Sequence, residues 1–195
     1  MTKGHLTVGS QTPRYATNIP KNFTKINLNA SRNQQLVPDK TVLSVSVSGQ
    51  IASVDLDSAE KFYLGGPRGV RAYPGSQAGG SQGGMINIEV MQQLEDKFVA
   101  SAFFDAGFVQ QFRNNSSYVA SKGATQTNIG TNAGNSYSLR GVGVGLKRAD
   151  RDFVFSTTVA WKLGHNPLYN IEGQGVNNDG RSKGAYIWAQ AQWNF

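Results

Sequence analysis

The sequence predicts an all-β chain, an antiparallel transmembrane β-barrel segment of about eight strands, on three observations. Apolar and polar residues alternate with a period of two, the pattern of a wall with one greasy and one wet face. The alternating runs are roughly 10 to 13 residues long, enough to cross a bilayer at a tilt, whereas strands of water-soluble domains average about 5 or 6. The connections alternate between short and long, as the two ends of a membrane barrel do.

The first run, Gly4 to Gly9, is the weakest. In Asn22 to Arg32, Thr24, Ile26, Leu28 and Ala30 share one face and Lys25, Asn27, Asn29 and Ser31 the other. Thr41 to Ser53 sets Leu43, Val45, Val47 and Ile51 against Ser44, Ser46 and Ser48. Between Gly84 and Leu94, Ile86, Ile88 and Val90 oppose Asn87 and Glu89, and Phe98 to Gln110 follows a tight turn. Val142, Val144 and Leu146 then oppose glycines 141, 143 and 145, which alternate along a strand as if to make room for an inserted loop. Phe153, Phe155, Val159 and Trp161 oppose Ser156, Thr158 and Lys162. The last run, Lys183 to Phe195, sets Ile187, Ala189, Ala191, Trp193 and Phe195 against Gln190, Gln192 and Asn194. Three connections are short: Val37 to Lys40, Glu95 to Lys97 and Arg148 to Asp152. Those at 10–21, 54–83, 111–135 and 164–182 are long.

Composition agrees and narrows the function. Glycine contributes 23 residues and charged residues only 16%, so good helix formers are sparse and little helix is expected. No stretch approaches the ~20 apolar residues of a spanning helix, which a barrel would not show in any case. The net charge of +7 raises nucleic acid as a partner, but the basic residues are scattered. The one tight group, Lys147, Arg148 and Arg151, sits with Asp150 and Asp152 and reads as a solvated turn, so no nucleic acid is expected. With no cysteine there is no disulfide, thiolate metal site or thiol nucleophile.

No catalytic centre and no cofactor are expected. Phe103-Phe104-Asp105-Ala106-Gly107 lacks the second carboxylate of an aspartic protease. The glycines of 65–84 lack the Gly-Lys-Ser/Thr ending of a phosphate loop, and no Gly-x-Ser-x-Gly elbow occurs. His5 and His165 are isolated, so no metal site is expected either.

Residues 62–73 read Phe-Tyr-Leu-Gly-Gly-Pro-Arg-Gly-Val-Arg-Ala-Tyr. This resembles the long-loop motif of the two-partner secretion transporters, the haemolysin secretion/activation family. Gly65, Gly66, Val70, Arg71 and Tyr73 match, while Ala72 stands where that family usually has glycine. A second family motif, Phe-x-Asp-x-Gly, appears as Phe103, Asp105 and Gly107. The resemblance implies that the loop at about 54–83 folds into the lumen and that Arg71 pairs there with Asp105.

It further implies that residues 1–195 are the second half of a sixteen-stranded barrel in the bacterial outer membrane. The POTRA domains and first half of the barrel would then lie outside this chain, as would a secretory signal, which the start Met-Thr-Lys-Gly-His-Leu does not provide. The terminal strand, with Trp193 and Phe195, resembles the closing-strand signal used by the barrel-assembly machinery.

The implied function is passive conduction of an unfolded exoprotein from periplasm to cell surface. Arg71, Tyr73 and Asp105 would shape the path, and Asn27, Asn29, Ser46, Asn87 and Glu89 would wet the wall. The implied partners are the secreted cargo, outer-membrane lipid, the assembly machinery and the amino-terminal half of the barrel. Two alternatives stay open: a barrel-assembly protein of the same superfamily, and a small closed eight-stranded barrel with a binding or structural role.

Overall fold

The computed structural model describes residues 2–11, 23–95, 97–113, 135–166 and 177–193. Among the described residues ten strands are present: β1 (Thr2–Gln11), β2 (Phe23–Val37), β3 (Thr41–Ala52), β4 (Phe62–Tyr63), β5 (Gly79–Gly80), β6 (Gln82–Glu95), β7 (Phe98–Gln110), β8 (Ser136–Ala149), β9 (Phe153–Lys162) and β10 (Tyr186–Trp193). Eight of them form one meander in the order β1-β2-β3-β6-β7-β8-β9-β10, every neighbour antiparallel. The segment between β3 and β6 carries the β4–β5 pair and a single helical turn, Ser58–Glu60.

The sheet is open, with β1 and β10 as its two edges among the described residues. The closed eight-stranded barrel is therefore not formed. So narrow a barrel is filled by its own side chains, whereas here a whole loop lies against one face.

Strand boundaries differ from the sequence reading where pattern and pairing part company. The alternation in β2 stops at Ser31, yet the strand runs on to Val37, because Asn33, Gln34 and Gln35 pair with Ser44, Leu43 and Val42. A ladder is held by backbone groups, and the partner strand can supply the regularity. Similarly β8 extends on both sides of Val142–Leu146. β10 starts at Tyr186 rather than Lys183, after Gly184 turns the chain at φ +98°. Phe195, expected to belong to the closing-strand assembly signal, lies outside the described residues.

Register carries the two-faced pattern from strand to strand. One row on the outer face runs Leu43, Val90, Ala102, Val144, Val159 and Ile187. Val144 and Ile187 are half or more exposed there. Aromatic residues edge this face at both ends, Phe108 and Trp161 toward the long connections and Phe98, Phe155 and Trp193 toward the short turns. The opposite face carries the rung Ser31, Ser46, Asn87, Asp105, Gly141 and Lys162.

The main buried core forms only on that inner face, where Leu64, Val70, Ala72 and Tyr73 of the loop pack on Phe103, Val109, Tyr137, Leu139 and Ala160. The core exists because the loop is there. Removing apolar surface from water favours docking, and the loop's greasy residues find no other cover.

Candidate functional site

The loop enters the sheet through a compact turn. Gly65 bridges Val70, the Val70 N–H donates to the Leu64 carbonyl at 2.7 Å, and the Gly66 N–H donates to the Tyr73 carbonyl at 3.1 Å. Gly66 adopts φ +116°, which side-chain-bearing residues rarely reach. A side chain at Gly65 or Gly69 would run into loop backbone at 2.2 and 2.0 Å respectively. These glycines let the turn close tightly enough to present Arg71 at its tip.

Arg71 and Asp105 meet in a bidentate fork. Nε donates to Oδ2 at 3.0 Å and Nη2 to Oδ1 at 2.9 Å, while the Arg71 backbone N–H also donates to Oδ2 at 3.0 Å. Asn87 Nδ2 adds a fourth bond to Oδ1 at 2.8 Å and reaches the Gly69 carbonyl at 2.9 Å. Asp105 is fully buried, and these donors replace the water it has lost.

The guanidinium has two further contacts. Nη1 donates to Glu89 Oε2 at 2.9 Å, and the group stacks over Phe103 with Cζ 3.3 Å from the ring centroid. One cation thus faces two carboxylates and an aromatic face, a setting that suits the planar, weakly hydrated guanidinium better than an ammonium.

Trp188 on β10 closes the site from the far side, donating Nε1–H to the Arg71 carbonyl at 2.8 Å. A Trp188→Phe variant keeps the ring's packing but loses this bond. It is expected to lower stability by about 1 kcal/mol, read as an earlier thermal transition and faster proteolysis of the loop. If neither measurement moves, Trp188 plays no part in holding the loop.

Gly107 and Gly141 take the loop directly: a Cβ at Gly107 would lie 2.6 Å from Leu64 Cδ2, and one at Gly141 2.5 Å from Ala72 Cβ. The other two β8 glycines act differently from the sequence reading. Gly143 makes room for the Phe103 ring and Gly145 for Ser101, so only Gly141 of the three meets the loop. Ala72 fits because its φ is not positive and its methyl occupies the space Gly141 leaves open.

Tyr73 is wholly buried and packs in the core between loop and sheet. Farther out, the segment after β9 holds the loop's returning limb. The Asn178 N–H donates to Gln77 Oε1 and its Nδ2 to the Ser76 carbonyl, both at 2.8 Å. At the loop's base, Lys25 pairs with Glu60, and Gln50 Nε2 donates to the Glu60 carbonyl at 3.0 Å.

Sequence reasoning named Asn87 and Glu89 only as wall residues and did not find Trp188. The signal for the first two was present in the pairing of Asn87 with Asp105 and Glu89 with Phe103, once β6 and β7 are aligned through their short turn. Trp188 lies 117 residues from Arg71 and carries no local signal.

Comparison with known proteins places this geometry in context. A model described as the Omp85 superfamily domain matches residues 2–171. Heme/hemopexin transporter protein HuxB of Haemophilus influenzae strain 86-028NP is 30% identical over 149 residues, which is 74% of this chain and 24% of the relative. The protein of the same name from a second strain is also 30% identical over 149 residues. The chain therefore spans about a quarter of the length of these relatives, 24% in each case. Among solved structures, CdiB from Escherichia coli superposes with a TM-score of 0.67 at 19% identity, over 98% of this chain and 33% of that one.

Proposed function

Because the chain belongs to the Omp85 superfamily, we propose that it forms the carboxy-terminal part of an outer-membrane translocator that conducts an unfolded exoprotein from periplasm to cell surface. The barrel segment lies in the outer membrane, with its apolar face toward lipid and its polar face toward the lumen. In this reading residues 1–195 supply the second half of a sixteen-stranded barrel, and β1 and β10 pair with strands outside the chain. An open edge in hydrocarbon would leave backbone groups unbonded, which favours such pairing.

The observation that carries the proposal is the inserted loop held on the polar wall by Arg71, Asp105 and Glu89. A docked loop narrows the passage, and a hydrogen-bonded seat of this kind has discrete docked and released states. The transporter name that two of the relatives above carry supports the same direction.

Site-specific photo-crosslinking tests the conduit. A crosslinker at Asn27 or Asn29, on the lumenal side of β2, is expected to capture the exoprotein during secretion, and one at Ile26 or Leu28 is not. Equal capture from both faces, or none from either, would refute conduction along this wall.

A further inference from the structure

We propose that the lipid-facing wall carries a binding groove for a phosphate-bearing lipid of the outer leaflet, with Arg140 holding the phosphate and an acyl chain lying beside it across β7, β6 and β3. The outer-face positions of β8 are Ser138, Arg140, Val142, Val144, Leu146 and Arg148, so two arginines bracket an apolar stretch. Eight residues separate them, about 27 Å along the strand and roughly 21 Å along the membrane normal at a tilt near 40°, close to the height of a barrel's apolar band. Arg140 lies at the end nearer the long connections, which in such barrels face the cell exterior.

Arg148 is provided for, with its guanidinium 5.7 Å from the Phe98 ring and Asp150 near enough to feel its charge. Arg140 has no such partner among the described residues. Its outer-face neighbours are Ala106 on β7 and, past its own carbonyl, Leu163 just after β9. Every neighbouring outer-face position on β3, β6, β7 and β9 is without a carboxylate. An exposed guanidinium at the edge of hydrocarbon needs an anion, and the lipid headgroup is the anion that this surface meets.

The groove beside Arg140 has a volume near 460 Å³. Arg140, Ala106, Ile86 and Val47 line it along one rung of the outer face, and Gly84, Phe108 and Ser138 line the next rung toward the long connections. The absence of a side chain at Gly84 opens it, since a Cβ there would touch the Phe108 ring at 3.4 Å. An apolar trough ending at a cation matches an acyl chain ending at a phosphate.

The test is native mass spectrometry of the detergent-extracted protein with diphosphoryl lipid A, its dephosphorylated form, or inorganic phosphate added. The parent protein is expected to retain the phosphorylated lipid about fivefold better than Arg140→Ala, the effect of one arginine at an anionic surface. Arg140→Lys should recover part of the loss. Ala106→Leu, which fills the trough without touching the charge, should weaken retention of both lipid forms. Heat-modifiable migration on gels verifies that each variant is folded. Equal retention by the parent and Arg140→Ala overturns the proposal. So does equal retention of the two lipid forms, which would indicate an unselective lipid coat, or full competition by inorganic phosphate, which would indicate a bare anion site.

Discussion

An Asp105→Ala variant is expected to reach the outer membrane at parental levels and to lose most secretion of the exoprotein, while its loop becomes open to protease. The strand itself is spared, because the backbone pairing of residue 105 with Asn87 and Gly141 does not involve the carboxylate. The loop loses three hydrogen bonds at once, and the largely buried guanidinium keeps one of its two carboxylates. Breaking a buried pair by removing one member costs about 3–5 kcal/mol. At about 1.4 kcal/mol per factor of ten, the docked-to-released ratio falls by roughly two to three and a half orders of magnitude.

Glu89 sets the scale for comparison. Its side chain is 26% exposed and makes one bond to Arg71, against a fully buried Asp105. Discounted for solvent screening, its loss should cost no more than about 1 kcal/mol. Glu89→Ala alone should therefore secrete nearly normally, and the Asp105→Ala/Glu89→Ala double variant should abolish the docking that remains. A parallel loss of Asp105→Ala from the membrane fraction would assign the pair to barrel assembly, ending its role in secretion.

The second large effect concerns two glycines of β8, Gly141 under the loop and Gly143 under the Phe103 ring. Gly143→Ala is expected to be more damaging than Gly141→Ala, and only the latter should be rescued by a second substitution. At 141 the added methyl meets the Ala72 methyl at 2.5 Å, so Ala72→Gly removes the main obstacle and leaves a tight 3.2 Å approach to the Trp161 carbonyl. At 143 it meets both Phe103 Cζ and the Val159 carbonyl at 2.3 Å. Phe103→Ala clears the ring but not the backbone, and it also removes the face on which Arg71 stacks. Overpacking of this kind costs about 1–3 kcal/mol where neighbours can move, and more where they cannot. Thermal unfolding of the four variants gives the order. Rescue of Gly143→Ala by Phe103→Ala would contradict the assigned geometry.

The membrane wall was legible because its information is local. Leu43 to Ile51, Ile86 to Val90 and Phe153 to Trp161 each carry the two-residue alternation within a few positions, and one bilayer imposes it on every strand. Asp105 also stood out locally, as a carboxylate among apolar neighbours, whereas Arg71 and its pairing were reached only through the resemblance of the loop motif. Less visible were Asn87 and Glu89, whose roles depend on strand register, and Gly143, which serves Phe103 and not the loop.

By itself the sequence determined which residues face oil, which face water and where the chain turns, since a strand's side chains alternate whatever surrounds it. Only the tertiary structure decided that Trp188 caps the Arg71 carbonyl, that Ala72 nests over Gly141, and that Arg140 has no charged or aromatic partner among the described residues. Those facts depend on how far each strand is displaced against the next and how deep the loop sits. Both are set by the packing of distant segments, which leaves no pattern along the chain.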